Sequence, residues 1–151
     1  VNNEIHKNMK TDFFTINQFE PKIKINEKVA LVKYYPGYNP DLLKNIIDSG
    51  YKAIIFEGTG LGHIGKNMYP IVKIANEKGI FMGMTSQCID GRVRMTVYES
   101  GRDLLNLGII PLENMIPEIA LVKAMWVTGN TEKYDEIKEN MLNEIASEFT
   151  T

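Results

Sequence analysis

The chain of 151 residues has one cysteine, two histidines and no excess of either charge, and each scarcity closes a class of function. A lone Cys88 excludes an intramolecular disulfide and any multi-thiolate zinc site, and two histidines far apart in sequence supply no metal-ligand spacing. Neither a metal nor a cofactor is expected, and the thiol usage suits a reducing, cytoplasmic compartment. Lys plus Arg (17) nearly balances Asp plus Glu (19), so the net charge of -2 offers no general attraction for nucleic acid or anionic lipid. No apolar run approaches the roughly 18 residues of a membrane span, and the first 20 residues lack the apolar core of a signal peptide. No membrane is expected as a partner.

What is present is globular composition: 44% hydrophobic and 24% charged residues in a length that suits one ordinary domain plus a short extra piece. The chain begins with Val1 rather than Met, which points to a processed product or a piece of a longer protein. Residues 1–28 hold scattered apolar positions (Phe13, Phe14, Ile16, Phe19, Ile23, Ile25) without a helix-strand repeat, and read as the end of a preceding domain and a linker.

From Val29 the pattern becomes regular. Val29-Ala30-Leu31-Val32 is a short continuous apolar run of the kind seen in strands covered on both faces. Asn39-Pro40 supplies an N-cap and a first-turn proline, Leu42, Leu43, Ile46 and Ile47 recur at helical spacing, and Gly50 stands at the expected stop. Ala53-Ile54-Ile55-Phe56 predicts a second strand, a helix follows to about Lys78 before Gly79, and Ile80 to Met84 predicts a third strand. Further helices are expected over 98–107 and 111–127, with a short strand at Ile109-Ile110. Asn130-Thr131 reads as the cap of a last amphipathic helix lined by Ile137, Met141, Leu142 and Ile145. Residues 29–151 are therefore expected to form an α/β domain of three layers, a parallel sheet of about four strands flanked by helices.

In open parallel sheets ligands gather beyond the carboxyl ends of the strands, at a topological switch point. Two loops are expected there: Glu57-Gly58-Thr59-Gly60-Leu61-Gly62-His63 and Thr85-Ser86-Gln87-Cys88. The glycines permit close backbone approach, but their spacing departs from G-x-G-x-x-G and no phosphate-binding lysine follows, so a tight structural turn competes with a site. Lys10-Thr11-Asp12 imitates a catalytic set, yet adjacent residues of an extended segment point to opposite faces. Arg92, Arg94 and Arg102 are expected to pair with Glu99 or Asp103 on a solvated surface, or to meet a partner.

These loops, with Gly91-Arg92-Val93, Val97-Tyr98, Gly101-Arg102 and Glu113-Asn114-Met115-Ile116-Pro117-Glu118, together resemble the C-terminal domain of the bacterial-type L-asparaginase and glutaminase family, a flavodoxin-like fold. The segment His6 to Asn17 is similar to the end of that family's N-terminal catalytic domain. Lys33-Tyr34-Tyr35-Pro36-Gly37 and Val122-Lys123-Ala124-Met125-Trp126-Val127 look most like archaeal members. Among these are the D subunits of tRNA-dependent amidotransferases, whose partners are an E subunit and tRNA, and stand-alone L-asparaginases. Arg94 stands where many relatives have Asn.

The resemblance implies hydrolysis of a small amide amino acid through a threonine nucleophile and an acyl-enzyme intermediate. The family's nucleophile lies in a Thr-Gly-Gly-Thr string and its second threonine in a Gly-Thr-Asp-Thr string. Neither occurs here, so no catalytic residue is expected in this chain and it should be inactive alone. The resemblance further implies a homodimer or higher assembly in which this domain lends Glu57 and His63 to a neighbour's substrate site. Gly58, Thr59, Gly60, Gly62, Ser86 and Gln87 form the surrounding loops. A non-catalytic small-ligand-binding module is the alternative of another class.

Overall fold

A computed structural model describes residues 21–149. Its centre is one sheet of four parallel strands in the order β1-β2-β3-β4: β1 (Val29–Lys33), β2 (Ala53–Gly58), β3 (Phe81–Ser86) and β4 (Ile110–Pro111). Val29 pairs with Ala53 and Ala53 with Phe81, so the three long strands start level. β4 is a two-residue edge strand that tolerates Pro111, because the next bond to β3 comes from the Leu112 amide, which donates to the Met84 carbonyl at 2.9 Å.

Between successive strands lie α1 (Pro40–Asp48), α2 (Tyr69–Glu77), preceded by a 3-10 turn, and α3 (Glu99–Asn106). α4 (Pro117–Asn130) and α5 (Tyr134–Leu142) follow the last strand. The period-two alternation of the strands sorts side chains into two cores. Ala30, Val32, Ile54, Phe56, Met82 and Met84 face α1, α2 and α3. Val29, Ala53, Ile55 and Phe81 face Ala120, Ala124 and Val127 of α4 and Ile137 and Met141 of α5. The sequence pattern therefore anticipates the three layers.

Four details differ from expectation, each for a physical reason. The strand order advances in one direction, so the described sheet contains no reversal and no switch point. Leu31 is 37% exposed because β1 is an edge strand that α4 covers incompletely. α4 starts at Pro117, not 111, since proline suits the first helical position and Glu113 turns the chain with φ 56°. Asn130 and Thr131 end α4 instead of capping α5, which begins at Tyr134 after Lys133, and Ile145 lies beyond α5, exposed.

α1 is closed as its sequence indicates. The Asn39 side chain accepts the Asp41 amide at 3.0 Å, and Gly50 turns away with φ 77°. Behind the sheet, residues 143–149 fold back over α4. Buried Lys123 donates to the Asn143 carbonyl at 2.6 Å and pairs with Glu148 at 3.0 Å.

Candidate functional site

Glu57 and Gly58 are the last two residues of β2 rather than loop residues, since both pair with β3, and the turn that follows, 59–63, closes on itself. The Thr59 amide and hydroxyl donate to the His63 carbonyl at 2.9 and 3.2 Å, while the Gly62 and His63 amides both donate to the Thr59 carbonyl. Two glycines are required by contact. A Cβ on Gly62, where φ is 96°, would stand 2.7 Å from Val93 Cγ1 and 2.9 Å from Met84 Cγ. One on Gly58 would stand 2.6 Å from Met84 Sδ. Gly60 also has positive φ (52°) but opens to space.

The end of β3 and the residues after it lock onto this turn; Thr85 and Ser86, expected in the loop, are the last two residues of the strand. Gln87 donates its side-chain amide to the carbonyls of Glu57 (2.9 Å) and Tyr34, and its backbone N–H to Gly58 (2.9 Å), so one residue joins the ends of β1, β2 and β3. Ser86 Oγ donates to the Gly60 carbonyl at 2.6 Å and accepts the Cys88 amide at 3.0 Å. Thr85 is buried, its hydroxyl donating to the Phe56 carbonyl at 2.8 Å. These side chains satisfy backbone groups that have no ladder partner beyond the strand ends. They hold the edge.

Glu57 and His63 are the two titratable side chains of this stretch, and both are half-buried. The Glu57 carboxylate meets Lys33 Nζ at 2.7 Å, its register partner on β1. His63 is half-buried: its Nδ1 lies 3.3 Å from Ser100 Oγ and its ring 5.6 Å from that of Tyr98. His63 Nε2 is buried and has no hydrogen-bond partner among the described residues. Ser100 is fixed in turn, its carbonyl accepting the Tyr69 hydroxyl at 3.2 Å.

Beside the two loops opens a cleft of about 400 Å³ walled by Gly60, Leu61, Ser86, Cys88, Arg92 and Arg94. Glu57 and His63 do not line it. Arg92 pairs with Glu113 at 3.2 Å, not with Glu99 or Asp103 as the sequence suggests, because the segment runs beside the β4–α4 turn, where the Val93 amide donates to the Glu113 carbonyl. Arg102 donates to the Thr96 and Val97 carbonyls and so steadies the turn into α3. The Arg94 amide donates to the Leu61 carbonyl at 3.0 Å, which ties this segment to the loop of His63. Cys88 is exposed, and no group of three or more His, Cys, Asp or Glu side chains among the described residues is placed to hold a metal. Lys10, Thr11 and Asp12 lie outside the described residues.

The sequence of residues 28–141, which spans β1 to nearly the end of α5, matches a known family, that of the glutaminase/asparaginase C-terminal domain. This chain belongs to that family. Over 127 residues it is 50% identical to the D subunit of the glutamyl-tRNA(Gln) amidotransferase of Pyrococcus abyssi, covering 84% of this chain and 29% of that protein. The same-named protein of Sulfolobus acidocaldarius is 50% identical over 126 residues, covering 83% of this chain and 28% of the relative. The thermostable L-asparaginase from Thermococcus kodakarensis superposes with a TM-score of 0.76 at 33% identity over 85% of this chain and 39% of that one. The chain thus spans less than a third of the length of the curated relatives it matches.

For this asparaginase-type C-terminal domain the matched span begins just before β1 and ends within α5, so residues 21–27 and 142–149 lie outside it. The family strings quoted from the sequence fall on the carboxyl-edge loops and on the turns into α3 and α4. Three neighbours were not singled out from the sequence as site partners. Lys33 faces Glu57 through strand register, while Ser100 and Tyr98 reach His63 from the start of α3 across 37 and 35 positions. The Val97-Tyr98 string marks that segment, but spacing alone does not aim it at the histidine.

Proposed function

We propose that this chain is the C-terminal part of an asparaginase-like amidohydrolase, the ammonia-releasing D subunit of a tRNA-dependent amidotransferase that helps form Gln-tRNA(Gln). In this reading residues 1–28 are the end of a catalytic domain and its linker, and residues 29–151 are the domain that completes a neighbouring subunit's site. The name carried by relatives at 50% identity supports the amidotransferase reading over a stand-alone asparaginase, whose solved representative is 33% identical.

The observation that carries the role of this domain is the state of His63. Its Nδ1 is positioned by Ser100, while Nε2 is buried and lacks a partner among the described residues. A buried ring nitrogen left unpaired is costly unless a group arrives to pair with it. A substrate or catalytic-domain group docking at this edge supplies that partner, and Tyr98, 58% exposed beside the ring, is the side chain whose movement opens the way. Glu57, neutralised by Lys33, orients the turn and offers a carboxylate toward a substrate ammonium at the same interface.

The chemistry itself belongs to a threonine hydroxyl in the catalytic domain. That oxygen attacks the side-chain amide carbon, the C–N bond breaks as ammonia leaves with the transferred proton, and water then cleaves the acyl ester. The chain holds neither threonine string, so it performs no turnover alone. An E subunit and tRNA would receive the ammonia.

Mixing this chain with the part of the Pyrococcus abyssi protein that it does not match tests the proposal. Ammonia release from L-glutamine or L-asparagine is expected only in the mixture. Release by the purified chain alone would contradict it. A glutamine preference together with co-purification of an E subunit sharpens the reading to the D subunit, whereas an asparagine preference without one returns it to a free asparaginase.

A further inference from the structure

The backbone of His63 is pinned on both sides, its amide donating to the Thr59 carbonyl at 3.0 Å and its carbonyl accepting the Thr59 amide at 2.9 Å. That alone does not orient the ring. The side chain that meets it is Ser100, the second residue of α3, whose Oγ lies 3.3 Å from Nδ1. Ser100 is firmly held in its turn. Its carbonyl accepts the Tyr69 hydroxyl at 3.2 Å, and the next residue, Gly101, packs so closely that a Cβ there would collide with the Met95 carbonyl. Arg102 donates to the Thr96 carbonyl at 2.9 Å and fixes the entry into the helix. A hydroxyl on so rigid a support sets the direction of the ring it bonds.

A neutral imidazole has one nitrogen that donates and one that accepts, and the hydrogen bond made by one decides the role of the other. Ser100 Oγ has His63 Nδ1 as its one hydrogen-bond partner among the described residues. If Nδ1 carried the ring hydrogen, the hydroxyl hydrogen would find no acceptor among them. With Nδ1 accepting, the hydroxyl hydrogen is used and the ring hydrogen sits on Nε2, the buried nitrogen that no described residue meets.

We propose that Ser100 is a positioning residue that donates to His63 Nδ1 and thereby makes Nε2–H a donor for an acceptor oxygen, carboxylate or carbonyl, of the group that docks at this edge. An ammonium cannot pair with it. The proposal rests on the reading of this edge as part of an amide-hydrolysing site, and it divides the work there: the Glu57 carboxylate suits a substrate ammonium, and His63 suits an oxygen.

Two measurements test it. Long-range proton–nitrogen NMR correlations of the labelled 151-residue chain, recorded at mildly alkaline pH where an ordinary imidazole is neutral, read which ring nitrogen carries the hydrogen, and His63→Gln separates the His63 signals from those of His6. The Nε2–H form should dominate, and a mainly Nδ1–H ring would overturn the proposal whatever the activity. In the complete protein Ser100→Ala should lower kcat/KM for ammonia release about three- to ten-fold, the effect of one lost hydrogen bond. In a His63→Ala background the same substitution should change it less than about two-fold, because Ser100 acts only through the ring. Equal losses in the two backgrounds would overturn the proposal, and so would native kcat/KM in Ser100→Ala beside a slow His63→Ala, which leaves the reading of the edge intact. Native kinetics in His63→Ala would overturn that reading and the proposal with it. A loss lying chiefly in KM for L-glutamine puts the acceptor oxygen on the substrate, and one lying chiefly in kcat puts it on the catalytic domain.

Discussion

The loops that end β2 and β3 and the α4–α5 layer behind the sheet are held in place by different physics. The loops bury little apolar surface. They are fixed by side chains that answer backbone groups, Gln87 on Tyr34 and Glu57, Ser86 on Gly60, Thr59 on His63, and by two glycines with no room for a Cβ. The layer makes few polar contacts with the sheet and is held by apolar contact between Phe81, Ile55, Leu112 and the inner faces of α4 and α5. The comparison teaches where each kind of change should tell. Volume governs the layer, while backbone hydrogen bonds and the close approach of Gly58 and Gly62 to the core govern the edge that holds His63.

The largest effect should come from volume. Phe81→Ala empties a fully buried site between β3 and the α4–α5 layer and should cost about 3–5 kcal/mol, read as a lower urea midpoint with an unchanged slope. A cost below about 1 kcal/mol would mean that the layer collapses to fill the space and is not volume-limited.

Gly62→Ala comes next. It combines a positive φ with contacts under 3 Å to Val93 and Met84, and should cost about 2–3 kcal/mol although the residue added is only a methyl group. Gly60→Ala, with positive φ but open space around it, should cost about 1 kcal/mol. Equal costs for the two would show that φ alone, and not close approach, sets the requirement.

A smaller effect sharpens the exception within the layer, the Lys123–Glu148 pair under the C-terminal tail. Burial alone would raise the Glu148 carboxyl. The amides of Ala146 and Ile145 and the Lys123 ammonium outweigh it and hold the group below the ordinary glutamate range. A lowered folded value means that the stabilisation is present above the unfolded value and is lost as pH falls through the folded one. Glu148→Gln should therefore cost about 1–2 kcal/mol at neutral pH, since the short tail can open and rehydrate Lys123, and the difference from the native chain should vanish on acidification. A gap that persists in acid would show that the pair's charge is not its contribution.

The layered fold was legible in the sequence because each signal was local and strong. Apolar runs at 29–32 and 53–56, the Asn39-Pro40 start and the Gly50 and Gly79 stops all mark elements the structure contains. Pro117 marks a start but reads equally as an interruption, since a proline inside an apolar stretch fits either until the turn at Glu113 is known. The strand order, and with it the absence of a switch point, depends on which strands pair, and no short-range pattern encodes that. At the edge, the glycine loop and its histidine were visible as residues, but their partners were not. Lys33, Tyr98 and Ser100 reach the loop through register and through the approach of α3, contacts spanning 24 to 37 positions.

His63→Ala tests most directly the claim that this edge completes an amide-hydrolysing site. In the complete protein, with the catalytic domain joined to this chain, kcat/KM for ammonia release should fall at least about ten-fold. The lost Ser100 contact at the loop should lower Tm by no more than about 4 °C. A variant that keeps native kcat/KM while losing more than that in Tm would contradict the account and leave His63 a structural residue of the turn.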